Sequence, residues 1–234
     1  FMIDFQTLES SPIEPNSSSF SLFLILAGQE RSFFLICFLS YLAASIPAAL
    51  VLFFIRDYLE AEAFSGVFLA LYFISGAAFM GMWARVTKKY GSYRTWACVM
   101  VLSIIAFGGA AFLSPGDIVA YGLICIMSGV VLGADLALPP AITAGRIERK
   151  AQEKQATQYY AALAFLPKLA LALAAGLSFI ALENVGFKAD DNNSEEALQM
   201  LLIIYAIVPC VIKTISSLLL WKLIKQEGQN NEIF

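Results

Sequence analysis

Apolar residues run almost without interruption through six stretches, 32–55, 63–84, 95–113, 117–143, 157–182 and 197–221, and polar residues gather between them. A helix rises about 1.5 Å per residue, so about 20 residues cross a hydrocarbon core of roughly 30 Å, and every stretch is long enough. The pattern predicts an all-α integral membrane protein, multi-pass, with six transmembrane helices forming one compact bundle in the lipid bilayer over 31–225. The segment 1–30 is Ser- and Pro-rich from Ser10 to Phe20, carries no basic leader, and holds only a short apolar run, Phe20 to Ala27. It is expected to be neither a signal peptide nor a further span but the remnant of a cytoplasmic interdomain loop. Residues 226–234 are expected to form a cytoplasmic tail.

Composition agrees: 59% of the 234 residues are hydrophobic and 14% charged, against about 25% charged in a soluble domain. The positions of the charges say more than their sum of −3. Arg31, Arg85, Lys88, Lys89, Arg94, Arg146, Arg149, Lys150, Lys154, Lys222 and Lys225 fall in one set of connections, while Arg56 and Lys188 stand in the other among Asp57, Glu60, Glu62, Asp117, Asp190, Asp191, Glu195 and Glu196. Lys and Arg accumulate on the cytoplasmic side, so both termini are expected inside, as an even number of spans requires.

Three ionisable residues break the apolar runs: Asp135, Lys168 and Lys213. A charge at mid-bilayer costs about 2.5–3.5 kcal/mol on the most lenient scale, which makes such residues functional candidates. Counted from the cytoplasmic ends of their stretches, all three lie about 15 Å deep. Lys168 shares its helix face with Ala161, Ala164, Ala172 and Ala175, and Lys213 with Ala206, Pro209, Cys210, Ser216 and Ser217. Such small neighbours leave room for a cavity or a close helix contact. Asp135 can neutralise one lysine, and the surplus cation then points to hydrated space or to an anionic or hydroxyl-rich ligand. Pro139, Pro140, Pro167 and Pro209 remove backbone donors close to these charges and are expected to break their helices, as in transport pathways. Gly129, Gly133, Ala137, Ala141 and Gly145 recur every four residues, a small-residue stripe suited to close helix packing.

Other chemistries are poorly supplied. His is absent, removing the usual general base and the commonest metal ligand. Cys37, Cys98, Cys125 and Cys210 have no metal-site or disulfide spacing and read as packing residues. No enzyme, cofactor, metal or nucleic-acid partner is expected.

Several segments resemble the glycoside-pentoside-hexuronide:cation symporters, the melibiose-permease-like branch of the major facilitator superfamily. They are Ile46-Pro47-Ala48-Ala49-Leu50, Phe54 to Leu59, Leu71-Tyr72-Phe73, the loop motif Trp83, Arg85, Lys88, Lys89, Gly91 and Arg94 with Trp96, Gly133 to Ala141, Tyr159-Tyr160, and Lys168 to Leu173. The resemblance covers about 28–225. It implies that the six spans are the C-terminal half-bundle of a major facilitator fold, partnered by an N-terminal six-helix half, and that the basic run from Arg85 to Arg94 is a cytoplasmic loop. It also implies sugar or glycoside transport coupled to H⁺ or Na⁺, with the ion site in the other half, and a plasma (inner) membrane location. Lys168 is expected to line the central cavity, with Asp135 orienting or neutralising it and Lys213 supporting the network. Where the family usually has an acidic run, this chain reads Thr143-Ala144-Gly145-Arg146-Ile147-Glu148. A lipid or lysophospholipid carrier of the same fold, or a structural membrane subunit, are the alternatives.

Overall fold

A computed structural model describes residues 30–149, 155–189 and 193–229. The expected loop at 1–29, Lys150, Lys154, Asp190, Asp191 and the end of the tail lie outside the described residues. Six helical rods are long and apolar enough to cross a membrane. Helix α1 spans Arg31–Phe53 and runs into a π-helical turn, Phe54–Tyr58; α2 is Ser65–Tyr90, α3 Ser92–Gly109, α4 Ile118–Arg149 and α5 Ala156–Asn184. The sixth rod is composite: α6, Glu195–Leu202, a second π-helical turn, Ile203–Ile207, then α7, Val208–Gln229.

The ends follow local chemistry. Ser194 caps α6 by accepting from the Ala197 N–H, and Glu195 and Glu196 sit in the first turn, where the helix dipole favours negative charge. Several helices outrun their apolar stretches. The basic motif is therefore not a loop: Arg85, Lys88 and Lys89 continue α2, Arg94 belongs to α3, and Gly91 alone separates the two helices. Its φ of 82° is a left-handed conformation that other residues adopt reluctantly. Nothing ends a helix at the membrane boundary when polar residues can continue it in water, so the boundary in hydropathy is not a boundary in structure. Helix α7 likewise runs on to Gln229, past the start of the expected tail at 226.

The prolines also differ from expectation. Pro139 and Pro140 lie inside an unbroken α4 and Pro167 inside an unbroken α5. Near the first pair, the Thr143 hydroxyl donates to the Pro139 carbonyl at 2.9 Å. Only Pro209 accompanies a change of winding. It cannot donate to the Tyr205 carbonyl, and in the turn before it the ladder widens, the Val208 N–H reaching the Ile203 carbonyl.

In the bundle α2 packs on α4, α1 on α5 and α7, and α3 on α4 and α7. Exchanging α1 with α4, α2 with α5 and α3 with α7 leaves these principal contacts unchanged, although α1 and α4 run in opposite directions. Two three-helix sets are thus related as an inverted repeat. Packing is closest between α2 and α4. A Cβ at Gly129 would overlap the Tyr72 carbonyl oxygen, and one at Gly133 would stand 2.6 Å from that of Gly76. Ala137 and Ala141, further along the same stripe, are exposed, so only its first two members serve this contact. One core cluster gathers around Phe33, Trp96 and Tyr159, and a second around Phe54, Tyr121 and Tyr205. The least buried spans are the symmetry-related α2 and α5.

Candidate functional site

The buried charges of the middle of the bundle form one closed cluster. Lys213 on α7 donates to Asp135 Oδ2 on α4 at 2.5 Å and to Ser40 Oγ on α1 at 2.8 Å, and the Trp96 indole on α3 donates to Asp135 Oδ1 at 3.2 Å. Four helices each contribute one side chain, and both carboxylate oxygens are engaged. Lys213 is 3% exposed, so neither charge has bulk water to fall back on. Taking two ions out of water costs several kcal/mol each, which close pairing and further hydrogen bonds offset. The geometry makes this a tie between helices.

Lys168 stands apart from that tie. It lies twelve residues from Ala156 and sixteen from Asn184, so it is near the middle of α5, yet it is exposed on the bundle surface. Among the described residues it makes no hydrogen bond or ion pair. The expected neutralisation of Lys168 by Asp135 is therefore corrected: Asp135 turns to Lys213. The cause is the face each residue occupies. Ala162, Leu166, Ala170 and Ala174 form the buried face of α5 against α1, whereas Ala161, Ala164, Lys168, Leu171 and Ala172 look outward. Depth estimated from sequence puts the three charges at one level but says nothing about which faces meet.

A second buried ionic cluster was not legible in the sequence. Glu30, just before α1, accepts from Arg146 Nε near the end of α4 at 2.5 Å, Arg146 Nη1 donates to the Tyr93 hydroxyl, and the guanidinium lies 5.0 Å from the Phe33 ring centroid. Both Glu30 and Arg146 side chains are 5% exposed. It fastens the ends of α1, α3 and α4 together. Arg146 belongs to the segment in which the chain departs from the symporter pattern, and its basic character there is what Glu30 answers. A lone acid beside Arg31, at an end otherwise rich in Lys and Arg, was the available signal.

The remaining expected residues fall in structural roles. Trp83 is buried and its indole donates to the Val130 carbonyl at 2.7 Å, strapping α2 to α4. Pro209 lines a small gap beside Lys213 with Ser103 and Cys210. A larger cavity of about 130 Å³ lies between α1, α2 and α4, towards the end opposite Arg146, and was not foreseen.

The bundle thus combines an inward ion pair, an outward lysine on a face of small residues and an inverted repeat. No curated protein matches the chain. A family model described as MFS/sugar transport protein matches residues 25–224. With six membrane-length helices and the melibiose-permease-like motifs on the same residues, the chain belongs to the MFS/sugar transport protein family and is a multi-pass membrane transporter by membership.

Proposed function

We propose that this chain is the C-terminal half of a secondary active transporter that carries a sugar or glycoside together with H⁺ or Na⁺ by alternating access. The observation that supports this most directly is Lys168: an exposed ammonium with no hydrogen bond or ion pair among the described residues, near the middle of a membrane-length helix and on a face of small residues. Facing lipid, it would be costly, since its stem is too short to reach either interface with ease. Facing a hydrated cavity shared with an N-terminal six-helix half, it has water between transport events and ligand hydroxyls or carboxylates during them. In this reading Asp135 and Lys213 hold the bundle that presents Lys168. The inverted repeat supplies the symmetry by which such halves rock about a midplane site. The concentration of Lys and Arg at one end supports a reading with both termini in the cytoplasm, and a plasma (inner) membrane location is part of the same proposal.

The test uses proteoliposomes holding the full-length transporter and an imposed H⁺ or Na⁺ gradient. Accumulation of a labelled glycoside that collapses when the gradient is dissipated is the expected result. Uptake that never exceeds equilibration, across a panel of neutral and acidic glycosides and with either ion, would remove symport from the account.

A further inference from the structure

The cavity between α1, α2 and α4 is built differently from the charged layer. Its walls are Pro47 and Val51 of α1, Phe68 and Tyr72 of α2, and Tyr121 and Ile124 of α4, and no charged residue reaches it. Phe107 of α3 and Tyr205 of the second π-helical turn complete it. Its volume of about 130 Å³ is close to that of an engineered apolar cavity of about 150 Å³ that admits benzene. One six-membered ring fits.

The aromatic wall is fixed in place before any ligand arrives. Tyr205 stacks on Phe54 with centroids 4.0 Å apart and planes within 8°, Phe68 meets Tyr121 edge-on at 4.8 Å, and the Tyr121 and Tyr205 hydroxyls share a hydrogen bond of 2.7 Å. Phe54 and Tyr205 both come from π-helical turns. Such turns are rare and concentrate at functional sites. Here the second has a local cause, the missing Pro209 donor, and the two turns put their rings in contact.

Polar capacity decides which ring is accepted. The Ser128 hydroxyl is already spent on the Ile124 carbonyl at 2.6 Å. The Tyr121 and Tyr205 hydroxyls bond to each other and Tyr121 also bonds to the Cys125 thiol, so this pair has little donor capacity to spare, while the Tyr72 hydroxyl makes no hydrogen bond among the described residues. A pyranose brings several hydroxyls, each of which loses its water partners on entry, and two phenols cannot replace them. An aromatic ring loses little and gains edge and face contacts.

We infer that this pocket binds an uncharged aryl group bearing at most one or two hydroxyls, such as the phenolic part of an aryl glycoside. As a part of the substrate path this rests on the transport reading; as a binding site it does not.

The direct test titrates the detergent-purified chain with 4-fluorophenol, read by ¹⁹F NMR, and checks that each variant melts as wild type. Partition into micelles does not saturate and is common to all variants. The expected result is a saturable bound signal displaced by phenol, absent in Ala48→Phe, where a ring enters from an exposed wall position, and weakened roughly five- to tenfold in Tyr72→Phe through loss of one hydrogen bond. No saturable signal in folded wild type, as a lipid chain seated in the pocket would give, overturns the site; so does binding that persists in Ala48→Phe. Uptake of 4-nitrophenyl and methyl glycosides by the full-length transporter separates the two readings. Saturable phenol binding without uptake of either glycoside leaves the pocket standing and removes sugar transport, while uptake of both without phenol binding does the reverse.

Discussion

Lys213 and Lys168 are the same residue type, both near the middle of a membrane-length helix, and their surroundings are opposite. Lys213 meets a carboxylate and a hydroxyl from two other helices and is buried. Lys168, on α5, is exposed and makes no hydrogen bond or ion pair among the described residues. The contrast extends to the glycines. Gly129 lies against the α2 backbone so closely that a methyl group has no room, whereas Gly176, one turn beyond Ala172 on the outward side of α5, has nothing within 4 Å. A bundle that closes its inner charges so completely and leaves an outer one bare is divided into a face for holding itself together and a face for something else.

The largest effect is expected from opening the inner tie. Lys213→Met leaves Asp135 buried and uncompensated and should cost about 3–5 kcal/mol, measured by thermal unfolding in detergent, with most of the loss recovered by adding Asp135→Asn. No loss in the single variant would show that the two lysines do not differ in kind. Next comes Gly129→Ala, which must push α2 from α4 and should cost about 3 kcal/mol in the same assay. On the open face the sign reverses. Gly176→Ala should stabilise the bundle by about 1 kcal/mol, because glycine is a poor helix former and nothing crowds the added methyl. If the other half packs there, that variant loses transport in the full-length protein despite its better helix, so the two readouts diverge.

The six spans and their bundle were legible because hydropathy over 20 residues is a strong, local signal. Their ends were not: α2 through Tyr90 and α4 through Arg149 continue as polar helices, to which a hydropathy window is blind. The three intramembrane charges could also be read directly, but not their partners. Pairing depends on the rotation of each helix, and apolar residues all round a span leave little periodicity to fix it. Trp96 and Ser40 carried no sign of their role, and Glu30 only a faint one. The aromatic cavity was missed because its rings come from three helices and a π-helical turn, with Phe54 of the other π-helical turn behind them, and none of these is visible as a motif, although Pro209 marked the place where one turn would widen.

The central claim is that Lys168 serves the ligand and Lys213 serves the fold. It is tested most directly by gradient-driven uptake and thermal unfolding measured together on two forms of the full-length transporter, Lys168→Met and the double variant Asp135→Asn with Lys213→Met. The account predicts that Lys168→Met melts as wild type and fails to accumulate substrate, while the double variant stays folded and transports. A folded, fully active Lys168→Met beside a folded, inactive double variant would contradict it.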